Sequence, residues 1–463
     1  MFTKEIYLRR RAQLRENMHD GVVVFLSNNE SPMNYPSNTY HYRQDSTFNY
    51  FYGLQMPGLA AVVDLNEGKD ILFGDDFTID DIIWMGNQPA VSQLGERCGI
   101  SQTQPFADFS AYVKKAIKAG RKIHFLPPYR PDNKVFLHQL LGIALDEVKT
   151  NASVELIKAV VALRAVKQPE EIAEIEKACN LGVKMHLAVM QNCKAGKIER
   201  ELAGLVEGTA LTEGNGVSFP VILSQNGETL HNHNHEQTLE NGRLLITDAG
   251  AEHVSGYSSD YTRTIPVSGK FTDKQREIYE IVLQANMESI AMAKPGIRYF
   301  DVHLNATTVI AKGLTKLGLM KGDPIESAKA GAHALFMPHG LGHMMGLDVH
   351  DMEDFGENYV GYDEHTQRST IFGHGSLRCG RELKAGFVLT VEPGIYFIPQ
   401  LIDIWEKEGK FTEYINYVKV REYIGFGGIR IEDDILITEN GCRVLGNPLP
   451  KTVEEIEEVM KRG

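Results

Sequence analysis

Three acidic residues stand where apolar, strand-like runs end, and a fourth follows the first of them closely. Leu244-Leu245-Ile246-Thr247 leads into Asp248, and Asp260 follows twelve residues later within Tyr257-Ser258-Ser259-Asp260-Tyr261-Thr262. Val388-Leu389-Thr390-Val391 leads into Glu392, and Gly428-Ile429-Arg430-Ile431 into Glu432. A carboxylate that closes a buried strand carries a large desolvation penalty unless it is paired or bound to a cation. With Gly256 in the intervening turn, Asp248 and Asp260 can meet across a hairpin. Any one of these acids alone is an ordinary capped turn or salt-bridged strand end, but four in the same setting point to a shared site.

The histidines cluster too. Pro338-His339-Gly340-Leu341-Gly342-His343 and Gly346-Leu347-Asp348-Val349-His350 put three imidazoles in one glycine-rich stretch. Glycines at 340, 342 and 346 permit the close backbone approach and tight turns of an active-site loop. Four carboxylates with an imidazole form an oxygen-rich donor set suited to two divalent ions, with manganese, cobalt and zinc all compatible. Four charges of −1 balance two of +2. Such a cage lowers the pKa of a bound water and yields a hydroxide nucleophile near neutral pH.

The elements that must position these residues fall into two blocks. At 463 residues the chain is expected to hold two domains. Up to about residue 150, strand runs at 21–26 and 60–65 and helical spacing at 109–119 read as an α/β domain. Lys167-Gln168-Pro169-Glu170-Glu171 then starts a helix, with proline in the first turn and acids at the positive end of the dipole. Helical spacing at 169–191, 197–213, 272–293 and 300–317, with strand hairpins in separate blocks, predicts an α+β second domain. The expected boundaries are 1–155 and 160–463.

With these motifs in order, the chain resembles the proline-specific branch of the pita-bread metallopeptidases, which spans Xaa-Pro dipeptidases and Xaa-Pro aminopeptidases. The resemblance also includes Tyr42-Arg43-Gln44-Asp45-Ser46 and Tyr50-Phe51-Tyr52-Gly53 near the amino terminus. It implies a creatinase-like α/β domain followed by a pita-bread catalytic domain. It further implies that Asp248 and Asp260 bind one metal, that Asp260 and Glu432 bridge, and that His343 and Glu392 complete the second site. His343 rather than His339 matches the ligand. Glu392 matches the group that handles the proton of a metal-bridging hydroxide, His350 the histidine that stabilises the tetrahedral intermediate, and His339 a histidine beside the substrate. The family usually spaces the two aspartates by eleven residues; the extra residue here is expected in the turn between Glu252 and Tyr257, since an insertion inside a strand would send one side chain to the wrong face.

The resemblance also bears on substrate length. A dipeptidase must read the free carboxylate of a terminal proline, a task suited to arginine. Arg378 in Ser376-Leu377-Arg378 and His231 in Thr229-Leu230-His231 resemble the residues that do so in Xaa-Pro dipeptidases, which makes cleavage before a carboxy-terminal proline in dipeptides the expected activity. Cleavage of longer peptides by an Xaa-Pro aminopeptidase is the alternative. Arg430 matches a position beside the metals that orients a carboxylate or the substrate. Trp84 resembles a tryptophan that covers the site of a neighbouring subunit, which implies a homodimer or larger assembly. Retention of all five metal-ligand positions argues against a catalytically inactive peptide-binding relative.

Composition narrows the partners. A formal charge of −13 opposes binding to a phosphate backbone. The basic run Leu8-Arg9-Arg10-Arg11 is expected to be the solvated face of an amino-terminal helix rather than a nucleic-acid patch. No apolar run is long enough to span a membrane. The first residues do not form a signal sequence, and five cysteines without CxxC spacing suit reduced thiols. Both point to a cytoplasmic protein.

Overall fold

The computed structural model describes residues 2–462. The chain divides into two units, one holding the residues up to Arg164 together with Met352–Tyr359, the other Ala165–Asp351 and the residues from Val360 onward. No helix among the described residues is long and apolar enough to cross a membrane.

In the first unit, β1 (Val22–Leu26) pairs antiparallel with β2 (Ala60–Asp64) and parallel with β5 (Ile123–His124). β3 (Lys69–Phe73) pairs antiparallel with β2, and β4 (Gln102–Gln104) parallel with β3, which gives a mixed five-stranded sheet. Alternate residues of the sheet, among them Val22, Val24, Val62, Ile71 and Phe73, pack on Phe109 and Val113 of the helix Phe106–Lys118. The period-two pattern of the strands and the helical spacing of 109, 113 and 116 meet on this one face.

The basic run near the amino terminus lies on the helix Lys4–Glu16 as expected, but only Arg9 of its three arginines is on the solvated face. Arg10 and Arg11 are 1 % and 0 % exposed. Arg11 donates to Asp70 at 2.9 Å and to the carbonyls of Phe51 and Cys98 at 2.8 and 2.7 Å, while Arg10 donates to the Tyr50 carbonyl at 2.7 Å and lies over the Tyr50 ring. The five-donor guanidinium can satisfy buried carbonyls that no apolar side chain could, which is why two arginines sit inside.

In the second unit, long helices span Pro169–Asn192, Glu199–Glu213, Asp273–Met292 and Tyr299–Lys316. Pro169 opens the first of them, and the Glu171 carboxylate accepts from the Gln168 N–H at 3.1 Å. The strands are β6 (Gly214–Val217), β7 (Ile222–Ser224), β8 (Leu244–Ala249), β9 (Ala251–His253), β10 (Tyr261–Pro266), β11 (Val388–Val391), β12 (Gly394–Tyr396), β13 (Gly428–Arg430), β14 (Asp433–Ile437) and β15 (Cys442–Val444). They form sheets of order β10-β8-β7 and β11-β14-β15 and the pairs β12-β13 and β6-β9. β8 and β10 keep unbroken antiparallel register from Leu244 opposite Pro266 to Ala249 opposite Tyr261. The connection closes at residues 253–257, where His253 N–H donates to the Tyr257 carbonyl and Gly256 takes φ +87°.

Candidate active site

Each acid predicted from the sequence sits at or beside a strand end of the second unit. Asp248 lies on β8, Asp260 just before β10, Glu392 between β11 and β12, and Glu432 between β13 and β14. Backbone pairing brings them together: Glu432 N–H donates to the Thr262 carbonyl at 3.0 Å, and Glu392 N–H to the Leu341 carbonyl at 2.8 Å. The histidine stretch is sewn to β11 by reciprocal bonds, His343 N–H to Thr390 Oγ1 and Thr390 N–H to the His343 carbonyl, both at 3.1 Å. This seam is tight. A Cβ on Gly342 would lie 2.2 Å from the Thr390 carbonyl oxygen, and one on Gly340 2.5 Å from Leu377 Cα.

One donor atom from each of Asp260, His343 and Glu432 lies within 4.8 Å of the others. His343 Nδ1–H donates to the Met344 carbonyl at 3.1 Å, so Nε2 carries the lone pair, 3.5 Å from Asp260 and 3.7 Å from Glu392. Asp248 Oδ1 and Asp260 Oδ1 are buried with no hydrogen-bond partner. Burial, then repulsion from Glu432 and the other neighbouring acids, pushes the Asp260 carboxyl well above the ordinary range; burial, then Glu392 and Asp248, does the same to Glu432. Glu392 is raised by burial as well, with Arg430 pulling the other way ahead of a weaker pull from Arg378. Crowded acids with unpartnered buried oxygens and an imidazole lone pair fit divalent cations, whose charge removes the repulsion.

The acids line a cavity of about 230 Å³ together with His231, His233, His350, Phe219, Pro220, Ile222 and Val349. The His350 ring stands edge-on to His343 with centroids 4.3 Å apart. In the run from His231 to His235, His233 and His235 bond back to the Val221 and Leu223 carbonyls flanking and within β7, while His231 stays at the exposed rim. His339 Nδ1–H donates to the Gly340 carbonyl at 2.7 Å, which leaves Nε2 to accept from the Tyr396 hydroxyl at 3.0 Å. Burial, with Arg430 second, pushes the His339 imidazole down to about 3, which keeps it neutral. Arg378 is half-buried and within electrostatic reach of Glu392. Trp84 belongs to the first unit, on the helix Ile79–Met85, and is 84 % exposed.

Three residues that the motifs did not single out brace the acids, two directly and one through Arg430. Thr262 Oγ1 donates to Glu432 at 2.6 Å, Thr390 Oγ1 bonds His343 and approaches Glu392 at 3.4 Å, and the Tyr396 hydroxyl accepts from Arg430 at 2.6 Å. Strand parity carried a signal for the two threonines, since each lies two residues from a ligand candidate and so on the same face.

The family model described as metallopeptidase family M24 matches residues 173–439, and that of the aminopeptidase P amino-terminal domain matches residues 7–124. The chain is 31% identical to human Xaa-Pro dipeptidase over 97% of its own length and 91% of that protein. It is 33% identical to a probable Xaa-Pro aminopeptidase of Aspergillus fumigatus, over 90% and 88% of the two chains. Zinc-substituted Escherichia coli aminopeptidase P in complex with product superposes with a TM-score of 0.81 at 29% identity, covering 99% of this chain and 98% of that one.

Proposed function

Because the chain belongs to metallopeptidase family M24 and has its two-domain, aminopeptidase P-like pita-bread fold, we propose that it hydrolyses the bond before proline in small peptides, with dipeptides ending in proline as its preferred substrates. The observation that carries the hydrolytic part is the convergence of Asp260, His343 and Glu432 within 4.8 Å beside unpartnered oxygens of Asp248 and Asp260. Asp248, Asp260, His343, Glu392 and Glu432 would hold two divalent ions, manganese by preference with cobalt or zinc as substitutes. Such ions supply Lewis acidity and an attacking water of lowered pKa.

The residues around them do the rest. Glu392, at the cavity wall, takes the proton of the attacking water and returns it to the departing proline nitrogen. His350 donates to the oxyanion of the tetrahedral intermediate. His339, kept neutral and aimed through Tyr396, contacts the substrate beside the reacting carbonyl. Arg430 gives its donors to Asp248, Tyr396 and Thr262 and so positions a carboxylate.

The preference for dipeptides rests on Arg378 and His231 binding the proline carboxylate, and similarity to human Xaa-Pro dipeptidase supports it. Similarity to the Aspergillus fumigatus protein favours a second reading, an Xaa-Pro aminopeptidase for longer peptides. Hydrolysis of Ala-Pro against Ala-Pro-Ala at equal metal loading separates them; a strong preference for the tripeptide would overturn the dipeptidase reading. We place the enzyme in the cytoplasm as a homodimer or larger assembly, with exposed Trp84 covering the site of a neighbouring copy.

A further inference from the structure

Outside the carboxylate cavity, three histidines from three elements converge. His303 lies on the helix Tyr299–Lys316, His333 on the 3-10 turn Ala332–Leu335 and His374 on the turn His374–Ser376. All three are buried, at 0 %, 0 % and 2 % exposure. One ring nitrogen from each lies within 4.8 Å of the others, and the His333 and His374 rings have centroids 4.7 Å apart.

Their hydrogen bonds assign the protons. His374 Nε2–H donates to the Ala328 carbonyl at 2.9 Å, and His333 Nδ1–H donates to the same carbonyl at 3.2 Å. His374 Nδ1 and His333 Nε2 therefore carry lone pairs. His303 Nε2–H donates to His374 Nδ1 at 3.0 Å, which leaves a lone pair on His303 Nδ1. His333 Nε2 and His303 Nδ1 are buried with no hydrogen-bond partner. Burial pushes all three imidazoles below their ordinary value, and repulsion from the neighbouring rings adds to it for His303 and for His333, which is lowered to about 3.

We propose that His303, His333 and His374 form a third metal site, an all-imidazole one that takes a single zinc ion and is chemically distinct from the carboxylate-rich pair. Neutral imidazoles suit zinc, whereas manganese favours carboxylates and water. The Ala328 carbonyl does what an outer partner of a metal-bound histidine does, fixing the tautomer and orientation of two rings at once. His303 needs only to shift its proton between its nitrogens, or flip, to join them. A zinc ion there ties the helix Tyr299–Lys316 to the turn that precedes His339 and to the turn that leads into Arg378, so its role is to fix the walls of the site rather than to react.

Zinc content tests this. The full-length protein, loaded with excess zinc and desalted, should hold about one more zinc per chain by mass spectrometry than His333→Gln or His374→Gln treated alike. A variant with the cavity disabled, Asp260→Asn with His343→Ala, should still keep about one zinc, with a nitrogen-dominated inner shell by X-ray absorption. Equal zinc in the full-length protein and the folded trio variants would overturn the site, as would a cavity-disabled protein that retains no zinc or holds it in an oxygen-dominated shell. If the trio variants do not fold, the cavity-disabled protein decides alone.

Discussion

Arg430 donates through Nη2 to Asp248 Oδ2 at 2.5 Å, both groups almost fully buried, while its Nη1 holds the Tyr396 hydroxyl and its Nε the Thr262 hydroxyl. One guanidinium thus fixes a candidate metal ligand on β8, the phenol that bonds His339, and the threonine that bonds Glu432. This fork is geometric as much as electrostatic, so lysine cannot reproduce it. Arg430→Lys should weaken metal binding and kcat/KM by about 10–100-fold, the range for loss of a partner that orients a metal ligand. Arg430→Met should in addition lower stability by several kcal/mol, of the ~3–5 kcal/mol order seen when one partner of a buried pair is removed. Metal titration and thermal melts of the two variants distinguish these effects, and a lysine variant with unchanged metal affinity would remove the positioning role.

A second expectation concerns the sign of a charge effect. Without cations, Asp260 and Glu432 repel each other inside a buried cluster; with them, the same acids would be ligands. Chelation should therefore abolish peptide hydrolysis and lower Tm, and restored divalent metal should recover both. Asp260→Asn should reverse order between the two states, melting at or above wild type when both are metal-free and below it when both are metal-loaded. Melting below wild type in both states would show that Asp260 stabilises the fold without any ion.

Arg378 offers a test of substrate length. A charged hydrogen bond to a terminal carboxylate contributes ~1.5–3 kcal/mol, so Arg378→Ala should lower kcat/KM for Ala-Pro by about 10–100-fold. Ala-Pro-Ala, whose carboxylate lies one residue further on, should lose much less. Equal losses on the two substrates would dissociate Arg378 from carboxylate recognition.

How far these relationships could be read in the chain depended on how local they are. Asp248, Glu392 and Glu432 were legible because each follows a short apolar run of strand type. Gly340 and Gly342 were legible as sites of close approach, although what approaches them, Leu377 and Thr390, was not. The Arg430–Asp248 bond was hidden because it joins strands 182 residues apart in sequence. His303, His333 and His374 come from segments with no shared motif, and only the packing of a helix against two turns brings them together. Arg10 and Arg11 misled for a related reason: charge alone marked them as solvated, and the carbonyls of Tyr50, Phe51 and Cys98 that accept from them are dispersed along the chain.

A last expectation follows from the ion pair next to His350. Lys167 Nζ lies 2.8 Å from Asp351 Oδ2 with both side chains 1 % exposed, and a Cβ on Gly346 would stand 2.7 Å from that carboxylate oxygen. The pair anchors the end of the histidine loop to the segment that precedes the helix Pro169–Asn192. Removing one partner leaves a buried charge uncompensated, so Lys167→Met should lower stability by ~3–5 kcal/mol. Because His350 is the adjacent residue, kcat should fall while KM changes less. Adding Asp351→Leu to Lys167→Met removes the stranded charge and should recover much of the stability without restoring kcat, since the anchor is still missing. Urea unfolding and steady-state kinetics on the two single variants and the double variant give the full cycle. Recovery of kcat together with stability would mean that the pair supports the fold alone and leaves His350 correctly placed without it.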